Sequence, residues 1–133
     1  MTANPITTSE NGNLIDFTKP TTAVFGTNGR YIDTSIQVAM MWAGNTNGDK
    51  KVIASGPNND IATINARVLM DANNNNQSLN YIVNGYNTED VNLDGKVIAS
   101  GPNNDSTLVM GNIYLHPANT ASASNYIIDQ QIP

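Results

Sequence analysis

The sequence predicts an α+β fold in which an antiparallel β segment is followed by two copies of one loop–helix unit. Three observations predict it. The nine residues VIASGPNND occur twice, from Val52 to Asp60 and again from Val97 to Asp105. The offset of 45 residues continues downstream without a gap, setting Val68 against Ile113, Asn74 against Asn119, and NYI at Asn80 against NYI at Asn125. Ahead of the repeats the apolar pattern changes to alternation punctuated by glycine. A period of this size marks a duplicated supersecondary unit, and two copies are too few for a solenoid, so a paired module is expected.

The first 44 residues contain TAVFG, RYIDTS and IQVAMMWAG, apolar runs separated by Gly and Asn-Gly turns. They predict two or three antiparallel strands, a β-rich segment of the kind that ends a larger β domain. Trp42 closes the last run and is expected to fill the junction with the repeats rather than to bind sugar, because a single Trp in a short apolar run is usually core. No Gly/Ser-rich or Pro-rich linker separates MMWAG from the first loop, so segment and repeats are expected to pack as one unit.

The second repeat, residues 87–133, opens with Asp90, Asn92 and Asp94 at alternate positions, then Gly95, Lys96 and Val97. This is the D-x-N-x-D-G opening of a calcium loop. Three side-chain oxygens converge because the chain turns sharply around the ion, glycine tolerates the positive φ of that turn, and the next residue, Lys96, supplies a backbone carbonyl. The twelfth position, where a closing carboxylate usually stands, is Gly101. An extended loop is expected instead, in which Gly101 and Pro102 bulge outward and Asp105 returns to close the shell. The first repeat, residues 45–86, aligns Asn45, Asn47, Asp49, Lys51 and Asp60 with these positions. Asn45 replaces the opening Asp and Lys50 the turn glycine, with Gly48 as a local substitute. Two carboxylates against three make site one the weaker of two expected Ca2+ sites.

Each loop leads into a helical pattern, Ile61, Ile64, Val68 and Leu69 in the first copy and Leu108, Val109 and Ile113 in the second. Asp60 and Asp105 are expected to cap these helices as well as to ligate. The helices should end near DANNNN and HPANT, where the Asn cluster and Pro117 interrupt them.

Composition restricts the function. A chain of 133 residues is one domain's worth, and its 11 acidic against 6 basic residues argue against nucleic acid or an anionic membrane as partner. There is no cysteine and one histidine, which excludes disulfides and zinc clusters and leaves oxygen ligands. No apolar run approaches a transmembrane span, and TANPITTSE after Met1 is unlike a signal peptide. No enzyme is expected. His116 lacks neighbouring Ser and carboxylate for a triad and is expected to be solvated or dipole-stabilised before Pro117, the carboxylates are committed to the loops, and GTNGR is a turn and not a phosphate loop.

From about Tyr86 onward the chain resembles a dockerin-like, EF-hand-like calcium repeat, carried by Asp90, Asn92, Asp94 and Gly95. The paired form with GPNND is similar to a module near the C-terminal ends of large secreted or surface proteins of Bacteroidetes. The similarity extends upstream through IDFT, GTNGR and MWAGN. The resemblance implies a secreted or cell-surface location and three candidate roles. They are a calcium-stabilised structural module, a docking module that presents its helices to another protein, and a subunit that self-associates into a fibre or appendage. The loops match between the copies and the outer helix faces do not.

Overall fold

The computed structural model describes residues 2–7, 10, 12–26 and 28–129. The chain order is β1 (Arg30–Asp33), β2 (Val38–Met41), β3 (Lys51–Ile53), α1 (Asp60–Leu69), β4 (Ile82–Asn84), β5 (Lys96–Ile98), α2 (Asp105–Leu115) and β6 (Ile127–Asp129). The α+β class and the antiparallel pairing agree with the expectation. Two regions refine it: the upstream segment, where the two or three strands expected are two, and the repeats.

The first lies upstream. β1 and β2 form the antiparallel hairpin expected from RYIDTS and IQVAMMWAG, with Tyr31 opposite Met40. TAVFG does not add a third strand, and Val24 makes only an isolated bridge to Thr2. The cause is Arg30, whose guanidinium donates to the carbonyls of Phe17, Lys19 and Thr22 and curls that stretch around itself. Thr18 then offers its carbonyl to the N–H of Ala39 at 2.7 Å, occupying the open side of β2.

The second lies inside the repeats, which contain strands as well as loops and helices. β4, at the end of the first repeat, pairs with β5 of the second, and β6, at the end of the second, pairs with β3 of the first. The registers are the same: Asn84, Val83 and Ile82 face Lys96, Val97 and Ile98, and Asp129, Ile128 and Ile127 face Lys51, Val52 and Ile53. Each repeat therefore completes the other's hairpin. The central residue of each three-residue strand is buried, and Val52, Val83, Val97 and Ile128 meet Ile64, Val68, Val109 and Ile113 from the packed helices in one core. Burying each such side chain contributes about 1.5–3 kcal/mol. Neither repeat alone could bury these faces.

Each helix ends in an asparagine knot. Asn74 donates to the carbonyls of Val68 and Ser78 and accepts from the N–H of Ser78. Asn119 does the same with Ile113 and Ala123. α2 stops at Leu115 because His116 precedes Pro117 and adopts the extended φ −63°, ψ 126° that proline imposes on its predecessor.

The N-terminal hairpin joins the repeats through Trp42, which fills the junction as expected. It is buried, its indole N–H donates to the Asn28 carbonyl at 2.9 Å, and its ring lies 4.9 Å from His116 and 5.8 Å from Tyr31. Gly44 permits the close approach behind it, since a Cβ there would stand 2.9 Å from Val52 Cγ1. His116 departs from its expected solvated or dipole-stabilised state. It is buried between Trp42 and Tyr126, and its Nδ1 accepts from the N–H of Ala118.

This packing makes the asparagine knots and the buried histidine measurable. Asn119→Ala leaves buried carbonyls without donors and should cost about 2–3 kcal/mol in urea unfolding, and Asn74→Ala a similar amount. Burial pushes the His116 pKa below the ordinary histidine value of 6.5, partly opposed by its hydrogen bond to the Asn28 carbonyl. The unfolded chain is therefore protonated first, so this contribution to stability is complete above that value and is lost as pH falls toward the folded pKa. His116→Phe, which keeps a ring in the stack, should flatten the stability profile between about pH 7 and pH 5. An unchanged profile would place the titration elsewhere.

Candidate metal centre

The two loops share their hydrogen bonding at the third and fifth positions and differ at the first. At the first position Asn45 Oδ1 accepts from the N–H of Gly48 and of Asp49. Asp90 accepts from Asp94 with one oxygen and from Gly95 with the other. At the third position Asn47 and Asn92 donate through Nδ2 across the detour, to the carbonyls of Asn58 and Asn103. That leaves each Oδ1 turned into the loop, where it accepts from Asp49 or Asp94 at 2.9 Å. At the fifth position Asp49 Oδ1 accepts from Lys51 N–H and Asp94 Oδ1 from Lys96 N–H. Gly85 N–H bonds the Gly95 carbonyl, so Lys96 opposite Asn84 occupies a non-hydrogen-bonded pair and turns its main-chain groups away from β4, toward the loop.

The backbone explains the two departures in loop one. Residues four and six of both loops are left-handed: Gly48 at φ 75° and Lys50 at φ 70° match Leu93 at φ 60° and Gly95 at φ 81°. Gly48 therefore does not substitute for the missing glycine. It has changed places with it, so that each loop holds one glycine and one strained side chain at these positions.

Asp60 and Asp105 have a duty that the sequence did not suggest. Asp60 Oδ1 accepts from the N–H and hydroxyl of Thr46, and Oδ2 from Ile53 N–H at 2.8 Å. Asp105 Oδ1 accepts from Val91 and Asn92, and Oδ2 from Ile98 at 2.8 Å. Both side chains are fully buried. Each fastens the loop entrance and the outer edge of β3 or β5 to the first residue of a helix. They are not the helix caps: Asn59 and Asn104 hold the extended cap conformation and accept from Ala62 and Thr107. The cap moves one residue upstream because the Asp side chain is drawn inward to the loop. The NND triplet before an apolar helix carried that signal.

Burial raises the pKa of both fasteners against the lowering effect of their backbone donors, and the Asp90 charge raises that of Asp105 further. Among the described residues no three His, Asp or Glu side chains converge as a metal centre. A cation in either loop would accordingly rest on a mixed set, Asp90, Asn92, Asp94 and the Lys96 carbonyl in loop two, and Asn45, Asn47, Asp49 and the Lys51 carbonyl in loop one. Oxygen donors of this mixture suit a hard divalent ion such as calcium. Comparisons with protein-family models, curated proteins and solved structures find no match to this chain.

The fastening predicts that, in chelator, Asp60→Ala and Asp105→Ala each lose about 3 kcal/mol or more in denaturant unfolding, since the first strands two backbone N–H groups and the second three. A loss under about 1 kcal/mol would show that water replaces the carboxylate. Lys50→Gly should relieve the left-handed strain and raise stability by about 1 kcal/mol in the same assay. A decrease would mean that the Lys50 side chain makes a compensating contact.

Proposed function

We propose that this chain is a calcium-stabilised structural module of an extracellular or cell-surface bacterial protein, with one ion in each loop and the tighter one in loop two. The observation that carries it is that two loops 45 residues apart hold side-chain oxygens at their first, third and fifth positions against the loop's own N–H groups, with matched bonds at the third and fifth. The resemblance of these loops to dockerin-like repeats supports the same reading. Calcium would offset the repulsion that Asp90 exerts on Asp105 and add folding free energy where the core is small.

A second reading, a docking module, is favoured by one contrast between the helices. At positions 45 residues apart, α1 carries Thr63, Asn65 and Arg67 where α2 carries Leu108, Met110 and Asn112. The buried positions are apolar in both, Ile64 with Val109 and Val68 with Ile113. The changes fall outside the fully buried set, with Leu108 exposed and Met110 packed at the margin of the core.

The calcium reading is tested by calorimetry and thermal melts. Calcium at about 100 times its dissociation constant should add about 2.7 kcal/mol per occupied site. Asp94→Asn should remove the tighter binding event and Asp49→Asn the weaker one. No heat of binding at millimolar calcium, together with melts indifferent to chelator, would overturn it.

A further inference from the structure

The β1–β2 hairpin is fastened to the repeats at few points. β1 and β2 pack on each other and on no other strand or helix to a comparable extent. Among the described residues Trp42 is the one buried member of the central core that precedes loop one, and the other buried members all come from the repeats. Beside Trp42, Asn112 of α2 donates to the Ala43 carbonyl at 2.8 Å. Gly44 follows at φ 124°, a conformation that glycine adopts freely, and there the chain turns into the repeats.

His116 is the centre of this fastening. The Asn28 carbonyl accepts from Trp42 Nε1 at 2.9 Å and from the His116 ring, so one carbonyl upstream of the hairpin ties indole to imidazole. On its other side His116 Nδ1 accepts from the Ala118 N–H. These two bonds require the neutral ring with its proton on Nε2. The imidazole is layered between Trp42, 4.9 Å away, and Tyr126, 5.2 Å away. A second proton would go to Nδ1 and turn it into a donor facing another donor, the Ala118 N–H.

No anion stands ready to compensate that charge. From the hairpin side the ring faces Trp42, which does not titrate, and behind it the phenol of Tyr31. From the returning chain it faces the phenol of Tyr126. Arg30 turns its guanidinium to the carbonyls of Phe17, Lys19 and Thr22, and α2 carries its one ionised residue, Asp105, at the far end. Among the described residues no charged group contributes to the His116 pKa. Ring faces and the carbonyl end of a helix favour a cation, but burial outweighs them here and holds the pKa below the ordinary value.

We propose that this junction is an acid-released latch: protonation of His116 frees Trp42 and the β1–β2 hairpin from the repeats, which stay folded. With the latch open, His116 is solvated and takes up its proton near 6.5, while the closed ring resists until lower pH. Opening is therefore independent of pH above about 6.5 and rises by up to about tenfold per pH unit below it, until the closed ring protonates as well. The latch is independent of the calcium assignment.

The chain has one tryptophan and one histidine, so both sides of the latch can be read without labels. The full chain, at fixed calcium, is taken from about pH 8 to about pH 5. Acrylamide quenching follows Trp42, proton NMR follows the His116 ring, and circular dichroism follows α1 and α2, both of which lie in the repeats. Trp42 should become accessible to quencher below about pH 6.5, by about 5-fold or more, while the helical signal holds. His116→Phe keeps a ring, and His116→Gln keeps a donor and an acceptor; neither titrates, so each should abolish the pH dependence, whatever its shielding at pH 8. A merely structural role would instead change the shielding equally at every pH. Loss of the helical signal together with Trp42 shielding would overturn the latch in favour of global acid unfolding. So would a His116 ring that titrates at or above 6.5, a Trp42 that stays shielded to pH 5, or an unaltered pH dependence in whichever variant folds.

Discussion

Two buried carboxylates hold this protein in shape. Asp60 and Asp105 each stand at the first residue of a helix and receive N–H groups from the entrance of a loop and from the edge of a short strand. A three-residue strand has little pairing of its own, and its outer edge would otherwise present unsatisfied donors to a small core. The carboxylate satisfies those donors and sets the distance between loop, strand and helix together. The desolvation that this burial costs is visible in the raised pKa of both groups. It is offset by charge-assisted hydrogen bonds, which are stronger than neutral ones.

That constraint accounts for the repeated nonapeptide. Val52 and Ile53 bury the strand, Ala54 joins the core, Gly56 and Asn58 take left-handed conformations, Asn59 caps the helix and Asp60 fastens it. The second copy repeats each assignment, with Gly101, Asn103, Asn104 and Asp105 in the same conformations and bonds. Nearly every residue has a separate geometric duty, so few substitutions would leave the unit intact. The outer helix faces have no such duty toward the fold. They diverge in both directions: Leu108 and Met110 stand where α1 has Thr63 and Asn65, and Ser106 and Thr107 where it has Ile61 and Ala62.

Reciprocal strand closure makes the pair a unit. Because β4 completes the hairpin of the second repeat and β6 that of the first, the two loops share one core and one pair of packed helices. The N-terminal hairpin is held to this unit at a single aromatic stack, Tyr31, Trp42, His116 and Tyr126. Its Tyr31, Met40 and Met41 line a hollow together with Asn112 and Leu115 of α2, and so contribute surface as well as packing.

Local spacing is enough to specify the duplication, its register, both helices, the β hairpin and the loop positions, and all of these were legible in the chain. Asp90, Asn92 and Asp94 are held in the loop by hydrogen bonds that span no more than five residues. Asn74 and Asn119 were visible as a matched pair, although their role as knots was not. The remaining features depend on long-range contacts. Strands of three residues carry no periodicity to detect, and β3 finds its partner more than 70 residues away, at Ile127 to Asp129. Asp60 and Asp105 look like ligands or caps in a linear pattern, since nothing local shows that the N–H groups of Thr46, Val91, Ile53 and Ile98 will be brought to them. His116 became a core residue for the same reason. Its environment consists of Trp42, Asn28 and Tyr126, and only the folded chain brings these three to one place.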